Sequence, residues 1–472
     1  MSLKPSLPAS TLALLGSTAL LCFPCRADDL RDRVDRLVQP YIDSRTLVGV
    51  SIGVLQDSEH STYGFGRTGE PGSPEPDGNT VYEIGSITKV FTGLLLADAV
   101  VRGDARLDQP ATELLPDGVR LQRKRYWVPW NKEAPAITLQ DLSTHVSGLP
   151  RLPSNIGEGE VDPSDPYAHY TTEDLYRFVN DHQPARAPGK KYEYSNLAVG
   201  LLGHLLAQQS GQSYEALLKK TVLEPLGMND SSITLSDGQR SRLAKPYTDP
   251  DTPAANWHLP ALAGAGALRS TARDMLRFAE AQLDPPEGRL GEAINLAWQV
   301  HQEPIEGVDL SVCLGWHVAQ DGSTRWHNGG TGGYRSMLLV GRQRKIAVIL
   351  LTNTGSGGTD PLAKDIFRLL SGQDVQPREF EAPIEVAPEI IERYAGYYRL
   401  LPGIGFDVKL EDGKLMVKLT GQDFYRVYPR SETEWHYKVV EATITFQLDE
   451  EGNCTALELF QNGVRQKASR VE

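Results

Sequence analysis

The apolar positions along this chain change period from one segment to the next. Residues 81–85 read as a short strand, and residues 90–101 follow as an almost unbroken apolar run, long enough for a buried helix. A turn at Pro188-Gly189 and a short segment lead into a second apolar helix over residues 197–207. Two β-rich runs, 335–341 and 345–352, come after a glycine cluster at Gly329, Gly330, Gly332 and Gly333. Beyond residue 372 the pattern shifts to a charged, Pro-punctuated stretch suited to a linker, then a short helix over residues 389–394. Short strands succeed it at 396–400, 406–410, 414–419, 424–428, 434–440, 443–448 and 456–460, with Asp412-Gly413, Glu451-Gly452-Asn453 and Asn462-Gly463 as turn signals. Even spacing of this kind predicts a small antiparallel barrel.

The first 27 residues have a different character. A single Lys4 precedes an apolar core over residues 11–23, and Cys25-Arg26-Ala27 ends on a small residue before Asp28-Asp29. This reads as a cleaved bacterial secretory signal, because the apolar run is too short to span a bilayer. The expected location is periplasmic or secreted, with no transmembrane segment in the mature chain. The expected organisation is a signal over 1–27, a catalytic domain over 28–373, a linker over 374–388 and a barrel over 389–472.

Composition narrows the classes of function. Removing residues 1–27 takes away Lys4 and Arg26, leaving 46 basic against 61 acidic residues and a net charge of −15, which argues against a nucleic-acid partner. Cys22 and Cys25 leave with the signal; Cys313 and Cys454 lie in different expected domains without ligand-like spacing, so neither a disulfide framework nor a Cys-based metal site is expected. The ten His residues form no H-x-x-x-H cluster, and no metal or other cofactor is expected. Residues 123–130 mix basic and aromatic side chains, a pattern that fits a solvated loop better than a site.

Three short motifs carry candidate chemistry. Ser86 lies at the predicted start of the 90–101 helix, where free backbone N–H groups and the positive dipole end favour developing negative charge. Lys89, one turn on, returns to the same face. A serine hydroxyl needs a base, and a desolvated Lys with a depressed pKa is a candidate for that base or for a proton relay. Tyr194 and Asn196 stand at the junction before the second apolar helix. A phenol there can point into a cleft, where a nearby Lys would stabilise phenolate, and an Asn amide can grip a substrate amide. His327-Asn328-Gly329 opens the glycine cluster, which suits either a hairpin turn or a backbone that approaches a ligand closely.

Taken together, Ser86-x-x-Lys89, Tyr194-x-Asn196 and His327-Asn328-Gly329 resemble the penicillin-recognising serine hydrolases, specifically the class C β-lactamase and D-Ala-D-Ala peptidase family. Residues 137–149, 224–228 and 265–275 add to the likeness, which runs from about residue 30 to about residue 370. The resemblance implies an α/β fold in which helices flank an antiparallel sheet, with an all-helical region beside it; the barrel resembles the lipocalin-like modules of some such hydrolases. It further implies that Ser86 is the nucleophile, Lys89 its proton partner and Tyr194 the general base, with Asn196, His327, Asn328 and Gly329 facing the substrate. The backbone N–H groups of Ser86 and Gly330 would form the oxyanion hole. A β-lactam amide is the expected substrate, with a D-Ala-D-Ala or D-amino-acid peptide, an ester, or non-catalytic penicillin sensing as alternatives. The third motif departs from the commoner Lys-Thr-Gly: a His in place of a permanent cation predicts carboxylate binding that fades as pH rises through neutrality.

Overall fold

In the computed structural model, residues 27–125, 133–159, 161–305, 308–355, 357–380, 384, 386–411, 413–422, 424–438 and 440–471 are described, with side chains in the first helix from Leu30 onward. The expected signal over residues 1–26, and residues 126–130 of the basic-aromatic stretch, lie outside the described residues.

A six-stranded antiparallel sheet forms the first architectural unit. Its order is Glu59–Gly66, Gly49–Gln56, Ile346–Thr352, Arg335–Gly341, Thr324–Gly330 and His317–Val318. The N-terminal strands thus pair with strands nearly 300 residues away, Val50 opposite Thr352 and Gln56 opposite Ile346. Ile346–Thr352 is buried throughout because both faces are covered. Val348 and Leu350 face a core shared with helices Ala27–Asp43 and Thr359–Leu370, while Ala347, Ile349 and Leu351 face the larger core that contains helix Ala272–Leu283. Alternation of side chains across a strand puts consecutive apolar residues into two different cores, so a continuous apolar run is what this position demands.

The larger core continues into the helical region. Helix Thr88–Val101 is buried from Thr88 to Ala99, and its apolar residues are spread around the axis as an interior helix requires. Helix Asn196–Ser210 packs beside it; the Ser195 hydroxyl caps its start by accepting from Ala198 N–H at 2.9 Å, and Gly211 ends it in a left-handed conformation at φ 67°.

The second unit is a closed eight-stranded antiparallel barrel, from Gly396–Leu401 to Val464–Val471, sealed by pairing of its first and last strands at Tyr397 and Val471. The last strand was not expected from the sequence. Only Ala468 of its eight residues is buried, so it lacks the apolar alternation that marks a half-buried strand. Part of the expected linker is docked: Phe380 sits edge-on to Tyr41 at 4.7 Å between ring centroids, and Arg378 pairs with Asp365 at 2.8 Å.

The barrel is seated on the sheet unit by polar contacts. Asp251 pairs with both Arg426 of the barrel and Arg45, and Lys438 Nζ donates to the Ser44 carbonyl at 2.8 Å. These contacts set the barrel over one end of the sheet, next to the cleft described below.

Candidate active site

The strand Val81–Glu83 leads into a short 3-10 turn, Gly85–Ile87, that runs directly into helix Thr88–Val101. Ser86 is the centre of that turn, so its side chain projects from the helix start rather than packing along it. Gly85 has φ +50°, and a Cβ there would stand 2.6 Å from the Gly330 nitrogen, so the turn can lie against the sheet only with glycine at this position. Thr88 fixes the turn from inside by donating to the Gly85 carbonyl at 2.7 Å and accepting from Leu268 N–H at 3.2 Å.

Lys89 is fully buried. Its Nζ donates to Ser86 Oγ at 2.9 Å and to the Ala265 carbonyl at 2.7 Å, and it stands 4.9 Å from the centre of the Tyr194 ring. Among the described residues no carboxylate pairs with it, and burial, assisted by the Arg151 charge, holds its pKa well below the ordinary lysine value. Ser86 beside the Tyr194 hydroxyl lowers its pKa, and burial outweighs that influence to push the phenol up to about 12. This corrects the expectation that the neighbouring Lys would hold Tyr194 as phenolate: both groups have been taken out of water, and each is driven to its neutral form.

His327-Asn328-Gly329-Gly330 is the end of strand Thr324–Gly330, not a turn; the reversal comes after it, where Thr331 N–H donates to the Tyr334 carbonyl at 3.1 Å. Gly329 lets this strand touch the Ser86 turn, because a Cβ there would meet the Ile84 carbonyl oxygen at 2.0 Å. The cluster is therefore a close-approach strand, and Gly330 sits beside the Ser86 turn.

The three side chains of this motif and its neighbour fare differently. Asn196 lines the cleft, with its Oδ1 buried and without a partner among the described residues. Asn328 also lines the cleft, but its amide donates to Asp360 at 2.6 Å. His327 is 1 % exposed and stacks on His317 at 4.9 Å. Burial, with the His317 and Lys89 charges adding to it, pushes the His327 pKa well below 6.5. The expectation of a His327 titrating near neutrality to hold a substrate carboxylate is corrected on that ground. A buried imidazole, hydrogen-bonded through Nδ1 to its neighbour's carbonyl at 2.6 Å, stays neutral and lies beneath the cleft surface.

His327 belongs to a stack of three imidazoles under Tyr194. The His145 ring lies 4.4 Å from that of Tyr194, and His145 Nδ1 accepts from Ser195 N–H at 3.2 Å. His317 bonds Tyr192 Oη through Nε2 at 3.0 Å, and burial, with Lys89 contributing, pushes its pKa down to about 4. Positive charge on the cleft surface comes instead from two arginines. Arg151 lies over the Tyr194 ring at 5.2 Å, and Arg335 donates to the Thr331 and Tyr334 carbonyls at 3.1 and 3.2 Å. Among the described residues, no Asp or Glu lines the cleft.

The site is completed by a loop held from behind. Glu83, three residues before Ser86, accepts from Trp257 N–H at 3.1 Å, from Asn256 at 3.0 Å and from Arg269 at 3.0 Å. Trp257 then stands against Tyr167 across the cleft, ring centroids 5.4 Å apart, and donates through its indole to the Ser164 carbonyl at 3.0 Å. The resulting cleft encloses about 1110 Å³.

The family model described as Beta-lactamase matches residues 34–373. The chain belongs to the β-lactamase family. Similar proteins include a Beta-lactamase of Pseudomonas fluorescens, 26 % identical over 69 % of this chain and 94 % of that protein. A Beta-lactamase of Escherichia coli K12 is 30 % identical over 66 % of this chain and 76 % of its own length. The D-alanyl-D-alanine-carboxypeptidase/endopeptidase AmpH of Escherichia coli K12 is 27 % identical over 68 % of this chain and 83 % of its own length. Residues 381–469 match a second family model, described as a domain of unknown function.

In this β-lactamase-family serine hydrolase, sequence reasoning missed Arg151, His317, Arg335, Tyr167 and Trp257. Arg151 follows closely on the 137–149 stretch and carried a positional signal, whereas Arg335 lies inside a β-rich run and His317 in a two-residue strand. No helix among the described residues is long and apolar enough to cross a membrane.

Proposed function

We propose that this hydrolase opens a β-lactam amide bearing a carboxylate, through an acyl-Ser86 intermediate released by water. The observation that carries the reading is the pairing of Ser86 Oγ with the buried Lys89 Nζ at 2.9 Å, whose pKa burial lowers, in a cleft whose charged side chains are Arg151 and Arg335. In the acylation step Ser86 Oγ bonds to the carbonyl carbon and its proton passes to Lys89. The backbone N–H groups of Ser86 and Gly330 hold the oxyanion. The amide C–N bond breaks as Tyr194, a phenol in the free enzyme, supplies the proton that the leaving nitrogen takes up, and Lys89 restores it. Water then cleaves the ester along the reverse proton path. Asn196 faces the substrate amide, and the arginines bind the carboxylate that His327 cannot.

A second reading, hydrolysis of a D-amino-acid peptide, is favoured by the absence of Lys from the third motif and by a cleft at the upper end of the size range for small-ligand sites. The similarity to AmpH supports it equally. Export through residues 1–27 would place the enzyme where either substrate occurs.

Following the intact mass of the protein with a panel of β-lactams, with product analysis on the same samples, tests the proposal. A short-lived adduct on Ser86 with accumulating ring-opened product is expected. A persistent adduct would replace it with the peptidase reading, and no adduct with any lactam or D-Ala-D-Ala peptide would end both.

A further inference from the structure

The cleft that holds Ser86 does not stop at the catalytic unit; it continues into the mouth of the barrel. The barrel's contribution follows from strand register. Along each strand the inward side chains alternate, and those toward the mouth form a ring of Phe406 and Leu419, which pair with each other, Tyr425, Tyr437 and the pair Ala442–Gln461, with Leu459 next below Gln461. All of Phe406, Leu419, Tyr425, Tyr437 and Leu459 line the same cavity as Ser86. One layer deeper, Val417, Val427, Ile444 and Leu457 are fully buried and make an apolar floor. The far end is plugged, with Tyr394 stacked on Phe446 at 4.1 Å and bonded through its hydroxyl to the Glu432 carbonyl at 2.9 Å. The barrel is thus a shallow apolar cup, sealed below and open toward the nucleophile.

The rim is mixed, with Gln422 and Gln461 lining the cavity beside apolar side chains. Phe424, in the connection between two barrel strands, lines the cavity, and Val440 on the next connection is 41 % exposed. Lys409 and Lys418 stand over the Phe424 ring at 4.3 and 5.0 Å without lining the cavity, and Arg335 stands near enough to Tyr425 for the two to interact electrostatically, so a cation marks the border between cup and cleft.

We propose that the barrel mouth is a substrate subsite, taking an alkyl or aryl group carried several atoms away from the scissile carbonyl of an anionic substrate. The substrate class is therefore amphiphilic: a carboxylate at the arginines, a reactive carbonyl at Ser86 and an apolar tail in the cup. This rests on the proposed acyl-Ser86 chemistry for the position of the carbonyl, whereas the cup itself is independent of it.

Two measurements separate the two claims. Calorimetric titration of the Ser86→Ala full-length protein with hexanoate, octanoate and decanoate should give affinities that rise about fourfold per added methylene, the value of a CH₂ group moved out of water. The wild-type enzyme should show the same gradient in kcat/KM along p-nitrophenyl acetate, butyrate, hexanoate and octanoate. Phe424→Ala, in a connection where barrel folding is least at risk, and Leu459→Asn, on the cup wall, should each flatten both gradients to less than twofold per methylene. Affinities independent of chain length, or gradients unchanged in both variants, would overturn the cup whether or not the esters are cleaved. Rising affinities that both variants abolish, with no adduct on Ser86 from any ester, lactam or D-Ala-D-Ala peptide, would keep the cup and overturn the catalytic reading.

Discussion

The imidazole stack beneath Tyr194 should make this protein lose stability in acid, and the share of one side chain, His317, can be isolated. His317 is 5 % exposed and its pKa is pushed down to about 4, against 6.5 for an imidazole in water. The unfolded chain therefore binds a proton at His317 between pH 6.5 and 4 that the folded protein refuses. Stability rises with pH across that window, is fully present above about 6.5, and has lost the whole contribution once pH falls below about 4. That difference in pKa is worth about 3 kcal/mol. His145 and His327, whose pKa values burial also pushes well below 6.5, add in the same direction. His317→Gln keeps a polar atom toward Tyr192 and removes the titration. Urea unfolding followed by tryptophan fluorescence at half-unit steps from pH 4 to pH 7.5 should give a stability gain with pH that is smaller in the variant by about 3 kcal/mol. A packing defect alone would lower stability equally at every pH, so parallel curves for wild type and variant would refute the assignment.

Three other outcomes follow from the same geometry. Because Lys89 must be uncharged to take the Ser86 proton, the acylation rate should rise with pH through a midpoint well below 10.5, and Lys89→Met should lower the rate by about 10²–10⁴-fold and abolish that limb; an unchanged pH profile in stopped-flow acylation would exclude Lys89 as the base. Arg335→Ala and Arg151→Ala should each raise KM for an anionic substrate by roughly 10- to 100-fold, the worth of a charge-assisted hydrogen bond, while hydrolysis of a neutral ester changes little; equal losses on both substrates would mean a structural role. Glu83→Ala leaves Arg269 buried without its partner and frees the Trp257 loop, and should cost about 3–5 kcal/mol in chemical denaturation; a loss below 1 kcal/mol would show that the pair is not what holds the loop.

The comparison of sequence with structure divides along a physical line. Ser86 and Lys89 were legible because a three-residue spacing at a helix start fixes their relation locally, and the long apolar runs were legible because burial on all sides leaves a mark at every residue. The barrel strands were legible while one face was buried, and the last was not, because Val464–Val471 buries only Ala468. What no local pattern could set was charge state and surroundings. Burial lowers the Lys89 pKa at a point where its Nζ meets a carbonyl 176 residues away, and burial, with His317 beside it, lowers that of His327 whatever its place in a motif. The cations of the cleft, Arg151 and Arg335, and the aromatic ring of the barrel mouth come together only when segments hundreds of residues apart are packed. Covalent order thus determined which groups are present and which helix start carries Ser86; tertiary structure decided which groups are desolvated, which reach the cleft, and that the barrel forms part of its wall, since desolvation and long-range proximity exist only in the folded chain.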